Sequence, residues 1–144
     1  MEPQIVSVVM TSGGDPDLLR KKVASRLPQC VVQTVRADTA SNGFFVEMIA
    51  AQTLRAYETN SLLARKPELD LLLRLAGTTQ ISKAIGQVGS KKGDPFLLVV
   101  GGPGDSLRRF HWEELGGSLL EKRRLSDSEL DRIEVAALLN VEKA

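Results

Sequence analysis

The feature that most constrains the fold is the segment from residue 69 to residue 102, where apolar runs alternate with clear turn residues. Its centre carries apolar residues at i, i+3, i+4 and i+7, a spacing that places them on one face of a short helix. These residues are Ile81, Ala84, Ile85 and Val88. We expect Thr78 or Thr79 to cap the start of this helix and Gly89 to end it in a left-handed conformation. The opposite face, which includes Lys83, is then available to a partner.

Apolar runs on both sides of this helix predict strands. The run at residues 96–100 follows a Gly-Asp-Pro turn and is the clearest strand of the chain. Residues 69–75 are ambiguous, because Leu, Glu and Arg favour helix and Pro67 suits a first helical turn. A run of seven residues that ends near Gly77 also suits a buried strand, and we interpret residues 69–75 as a strand.

The rest of the chain also mixes strand and helix signals. Residues 5–10 and 30–35 are largely β-branched and predict strands, while Asp15 and the proline after it are typical of a helix start. A long helix is expected from Phe44 to about residue 60. With 144 residues and 42% hydrophobic content, the chain is long enough for one core. We predict a single α+β domain over residues 1–144, a small mixed or antiparallel sheet covered by helices in two layers.

Composition limits the classes of function. The 19 basic and 18 acidic residues leave a net charge of +1, so no overall basic field indicates nucleic acid. No apolar run approaches the roughly 20 residues of a membrane helix, and we expect a soluble, cytoplasmic protein. A single cysteine, Cys30, excludes an internal disulfide, and no metal-ligand spacing occurs. The single histidine, His111, lies between two aromatic residues and is expected to be a partly buried structural group.

Two glycine-rich turns invite comparison with phosphate-binding loops. One follows the strand at residues 5–10, and the other occupies residues 101–104 after the strand at residues 96–100. Neither completes a nucleotide motif, and Asp15 and Asp105 would repel a phosphate. We therefore favour ordinary turns, and we expect no catalytic residue, cofactor or small-molecule substrate. A small nucleotide-binding enzyme that uses residues 101–104 is the alternative.

Local basic clusters indicate a possible RNA surface. Such clusters bind phosphates, although the helix dipole alone also favours cations at helix C-termini. The candidate RNA-binding residues lie before, within and after the central segment, and they are Arg65, Lys66, Thr78, Thr79, Gln80, Lys83, Lys91 and Lys92.

The last helix indicates a second surface. Ser126 and Glu129 have the spacing of a capping box. An inward stripe of Leu130, Ile133 and Ala137 leaves other apolar residues outside it, so the helix is either deeply embedded or offers an apolar strip to another protein. The candidate docking residues are Val135, Leu138, Leu139 and Val141.

The string LLLRLAGTTQISKAIGQVG, preceded by TNSLLARKPELD and followed by FLLVV, resembles the Cgi-type subunits of the KEOPS complex. The motif positions here are Leu75, Gly77, Gln80, Ile81, Ala84, Ile85 and Gly89. Thr79 stands where many relatives carry arginine. In the family, residues corresponding to 69–75 form a strand, which favours the same interpretation here.

The resemblance implies a non-catalytic subunit of the complex that installs threonylcarbamoyl on adenosine in transfer RNA. Its expected partners are the N-terminal lobe of the small atypical kinase subunit and transfer RNA, bound at its single-stranded 3′ CCA end. The transfer reaction then belongs to another subunit. A scaffold that binds the kinase and no RNA is a further alternative.

Overall fold

The strands and helices of a computed structural model follow the apolar runs and turn residues of the sequence for most of the chain. The structure describes residues 4–143, without the side chains of Glu113 and Lys143. In chain order the elements are β1 (Gln4–Thr11), α1 (Pro16–Arg26), β2 (Val31–Arg36), a 3-10 turn (Ala37–Thr39), α2 (Gly43–Glu58), α3 (Pro67–Ala76), α4 (Ile81–Val88), β3 (Phe96–Pro103), α5 (Gly104–Arg108), a second 3-10 turn (Trp112–Leu115), β4 (Ser118–Leu119) and α6 (Asp127–Lys143).

Within the described residues the strands form one antiparallel sheet in the order β2-β3-β1-β4. Strand β3 lies between β2 and β1, and every residue from Phe96 to Gly102 is buried. A strand covered on both faces needs a continuous apolar run rather than an alternating one, which is why this stretch was the clearest strand in the sequence.

Alternate residues of the strands belong to two separate apolar clusters, one on each face of the sheet. Leu97 and Val99 pack into the cluster formed with α2, α3, α4 and α6. Leu98 and Val100 pack into a smaller cluster formed with α1, α5 and Trp112. The α+β class and the antiparallel sheet are confirmed. Helices cover both faces, so the predicted two layers are three.

The interpretation of residues 69–75 as a strand is wrong, because these residues form most of helix α3. Pro67 occupies the first turn, where its missing N–H costs no hydrogen bond. Gly77 ends the helix in the left-handed conformation, with φ of 72°, and its N–H donates to the Leu73 carbonyl over 2.8 Å. The helix signals were therefore the correct ones, and the residue with positive φ is Gly77 rather than Gly89.

Helix α4 forms where predicted, but its ends differ from the prediction. Gln80 is the N-cap residue and makes no side-chain cap hydrogen bond. The Thr78 hydroxyl accepts the N–H of Gln80 over 3.2 Å, so Thr78 shapes the turn before the helix instead of capping it. Gly89 is extended, with φ of −62°, and forms a bridge to Val35 of β2.

A buried ion pair links the helices on one face of the sheet. Arg74 Nε lies 2.7 Å from Asp70 Oδ1, and both side chains are buried. The Asp70 carboxylate also accepts the Thr53 hydroxyl of α2 and the Leu63 N–H of the following loop, at 2.6 and 2.9 Å. Arg74 donates to the carbonyl of Ala136 in α6 over 3.0 Å. One pair of charges thus holds α2, α3, α6 and a loop together.

We predict that Asp70→Asn lowers the free energy of unfolding by about 3–5 kcal/mol, because it leaves the buried Arg74 without its counter-charge. The matched control is Asp38→Asn, which removes the same charge from an exposed pair with Arg36 at 3.2 Å and should change stability by less than about 1 kcal/mol. Urea unfolding of both variants measures the difference. Equal effects would mean that burial does not make the Asp70 pair special.

Candidate functional site

The predicted capping box anchors the start of α6. The Ser126 hydroxyl accepts the N–H of Glu129 over 3.1 Å, and the Glu129 carboxylate accepts the N–H of Ser126 over 2.9 Å. Asn42 also donates to this carboxylate, over 3.2 Å, and so joins it to the start of α2. The hydrogen bond from the Ser126 backbone, with help from Asn42, lowers the pKa of the Glu129 carboxyl below its usual value. The cap is therefore at full strength only when Glu129 is ionised.

The inward face of α6 differs from the predicted one. Ala136 and Leu139 are buried, whereas Leu130 and Ala137 are exposed, and Ile133 is half-buried as expected of an inward residue. Two polar side chains reach backbone carbonyls on the buried side of α6, and they set this rotation. Arg74 donates to Ala136 as described above, and Gln52 of α2 donates to the Ile133 carbonyl over 3.0 Å.

Three of the four predicted docking residues form an exposed row, here called the apolar strip. Val135, Leu138 and Val141 are 48%, 54% and 73% exposed, and they recur every three residues along α6. Leu139 is only 2% exposed and belongs to the core, so its assignment to a docking surface is wrong. Exposed aliphatic side chains that recur along one helix are unusual on a surface that only faces water.

Sequence reasoning missed two further exposed apolar residues, Ile81 and Ile85 of α4. Both were expected to face the core, but only Ala84 and Val88 of that stripe are buried. Helices α4 and α6 both pack against α3. An apolar stripe of four residues on a helix of only eight is wider than the available core covers, and that excess was the signal in the sequence.

The predicted RNA-binding residues do not form one surface, because α3 separates them. Arg65 and Lys66 precede α3, whereas residues 78–80 follow it. A helix of ten residues is about 15 Å long, so these two groups lie at opposite ends of α3. The second group comes directly after Gly77, where an added Cβ would lie 3.5 Å from the Val135 side chain of the apolar strip.

Lys91 and Lys92 lie at the same end of the molecule as Arg65 and Lys66. Their turn follows the end of α4, where Gly89 bridges to Val35 of β2. The start of α3 also reaches β2, since the Gln33 amide donates to the Glu68 carbonyl over 3.0 Å. This end of the α3–α4 pair is called the basic end.

The basic end carries four exposed cations: Arg65, Lys66, Lys91 and Lys92. Among them only Lys92 has a described ion pair, a weak one at 4.0 Å to Asp15. Lys83 is exposed near the start of α4 and belongs with Thr78, Thr79 and Gln80 at the opposite end.

Residues 101–104 do not form a loop, which removes the geometry needed for phosphate binding there. Gly101 and Gly102 continue β3 and pair with Val31, Val6 and Ile5, and Gly104 begins α5. A Cβ on Gly102 would lie 2.7 Å from the Cys30 sulfur, so close packing of β2 and β3 explains the glycine.

The side chains named as possible chemical groups are not brought together. His111 is exposed rather than partly buried, and burial raises the pKa of the Cys30 thiol. Among the residues whose placement is described, no group of His, Cys, Asp or Glu is arranged to hold a metal ion, and no helix is long and apolar enough to cross a membrane. Neither a protein-family model nor a curated protein matches the chain, so the functional argument rests on these surfaces.

We predict that Gly102→Ala destabilises the protein by about 1–3 kcal/mol, because the new methyl group overlaps Cys30 in a packed sheet. Gly86 of α4 is the matched control, since a Cβ there meets no atom within 4 Å. Gly86→Ala should stabilise the helix by about 0.4–1 kcal/mol. Urea unfolding measures both, and an unchanged stability of Gly102→Ala would contradict the packing explanation.

Proposed function

We propose that this protein is a non-catalytic accessory subunit of a KEOPS-type complex, which docks on the small atypical kinase subunit and recruits transfer RNA through its 3′ CCA end. The observation that carries the proposal is the apolar strip on α6, because it is an exposed aliphatic surface on a helix that is otherwise held by polar contacts. The resemblance of residues 59–100 to Cgi-type subunits supplies the identity of the partners.

The way α6 is attached supports a docking role. Its described contacts with the body include Arg74 and Gln52 on its carbonyls and Asn42 on its cap. Few apolar residues are used inward, so Val135, Leu138 and Val141 remain on the outside. A partner that covered them would remove apolar area from water, worth roughly 25 cal/mol per Å². Ile81 and Ile85 extend the apolar area onto α4.

The separation of the basic end from the apolar strip supports two simultaneous contacts. Cations at the basic end lie about one helix length from Gly77, and so from the strip beside it. Clustered cations bind the phosphates of an unpaired strand, and a short single-stranded end needs only a few of them. We place the main RNA contacts at the basic end. Thr78, Thr79, Gln80 and Lys83 lie next to the strip and are closer to the kinase contact.

For the kinase contact, we predict that Leu138→Glu weakens binding of the kinase subunit at least tenfold, because a carboxylate would replace a buried aliphatic anchor. The control is Leu18→Glu, which places the same charge at an exposed leucine of α1, on the other face of the sheet. Calorimetry or co-purification with the kinase measures the affinity. Undiminished binding of Leu138→Glu would remove the strip as the docking surface.

For the RNA contact, we predict that intact transfer RNA binds more tightly than the same RNA without its CCA end at one fixed salt concentration. Changing Lys91 and Lys92 to Glu should weaken binding and flatten its dependence on log salt by about one unit per lost phosphate contact. Lys21 and Lys22 changed to Glu give the matched control, since they are an exposed lysine pair on α1.

The RNA experiment separates three accounts of the protein. A requirement for the CCA end supports the proposed recruitment of RNA. Equal binding with and without that end would indicate nonspecific attraction to charge. An absence of RNA binding, together with intact kinase binding, would favour a scaffold that contacts only the kinase.

A further inference from the structure

A cleft of about 790 Å³ opens beside the basic end, between α1, the start of β2 and the segment that leads into α3. Its volume lies within the roughly 300–1,000 Å³ of small-molecule sites. The side chains around it are mainly polar, and they include cations, amides and one aromatic ring. The proposed kinase and RNA contacts do not use this cavity.

The cleft has unpaired positive charge. Arg20, Arg65 and Lys66 line it together with the carboxylates of Asp17 and Glu68. Asp17 lies beside Arg20 at 3.9 Å, whereas neither Arg65 nor Lys66 forms an ion pair with any described residue. Because they are consecutive in the chain, Arg65 and Lys66 present a guanidinium and an ammonium group at one wall. Such a pair suits a phosphate, to which charge-assisted hydrogen bonds are strong.

The cleft also has an unused aromatic ring. Tyr57 is 57% exposed at the end of α2, and its ring makes no aromatic or cation–π contact with another described residue. An exposed ring beside cations is a platform for a nucleobase, since every base has a π face. Gln29, on the cleft wall, accepts from Ser106 through its amide oxygen, which leaves its amide N–H groups as donors.

A peptide strand is a poorer occupant of the cleft. An added strand needs free N–H and C=O groups along the outer edge of β2. The Gln33 side chain closes part of that edge, because its oxygen accepts the Thr34 N–H over 2.9 Å and its nitrogen donates to Glu68. The remaining groups favour a compact anion with an aromatic part.

We propose that this cleft binds a free 5′-nucleotide, with the phosphate on Arg65 and Lys66 and the base stacked on Tyr57. This inference goes beyond the proposed function, since it requires neither the kinase nor transfer RNA. It is also independent of residues 101–104, which lie in β3 and at the start of α5.

The chain offers a direct readout, because Tyr57 is its only tyrosine. Titration of the full chain with AMP at low ionic strength should shift the Tyr57 ring resonances in the proton NMR spectrum in a saturable way. Adenosine and inorganic phosphate, tested separately, should each bind at least tenfold more weakly than AMP, because each keeps only one of the two contacts.

Two matched pairs of variants assign the contacts by calorimetry. Changing Arg65 and Lys66 to Gln should weaken AMP binding at least tenfold, whereas the same change at Lys91 and Lys92 removes equal charge outside the cleft and should leave it unchanged. Tyr57→Ala should weaken binding about fivefold or more, and Tyr57→Phe should retain it, because stacking needs the ring and not the hydroxyl.

Several results would overturn the proposal. An unshifted Tyr57 ring at saturating AMP would exclude the stacked base. Equal affinity for AMP and phosphate would reduce the cleft to a simple anion site. Loss of transfer RNA binding in the Arg65 and Lys66 variant, without any binding of AMP, would assign the cleft to the RNA surface instead.

Discussion

The buried pair of Asp70 and Arg74 is the interaction on which the arrangement of the helices depends. Removing two charges from water is unfavourable by several kcal/mol per ion, and it is tolerated only where the other hydrogen-bonding groups are also satisfied. Here Thr53, Leu63, Ala136 and Asn140 provide those partners, at distances of 2.6 to 3.0 Å. Because these partners belong to α2, its following loop and α6, the pair sets both the rotation of α3 and the position of α6.

The two proposed contact surfaces follow from this arrangement. Helix α6 is held largely through its carbonyls and its cap, so most of its aliphatic residues are not needed inside. The same anchoring makes α3 a rigid spacer between the apolar strip and the basic end. A subunit that joins two partners needs surfaces that do not overlap, and a ten-residue helix with a buried ionic centre separates them by about 15 Å.

Glycine has two different roles in this chain, and the sequence alone does not distinguish them. Gly77 is required by a left-handed helix end, where its φ is 72°. Gly102 is required by the close approach of Cys30 across the sheet. Both lie at the end of an apolar run, which is also where a phosphate loop would lie. The pairing partner across the strand decides between these roles, and that partner is distant in sequence.

The sequence by itself determined the elements whose signals are local. These include the apolar run of β3, the Asp15 cap of α1 and the Ser126–Glu129 capping box. Residues 69–75 were misassigned because a short apolar run suits a helix or a strand equally, and only the packed partners of Asp70 and Arg74 decide for the helix. Tertiary structure alone decided that Leu139 is buried while Ile81, Ile85 and Leu138 are exposed. Which side of a helix faces the core depends on the neighbours that cover it, and these come from distant parts of the chain.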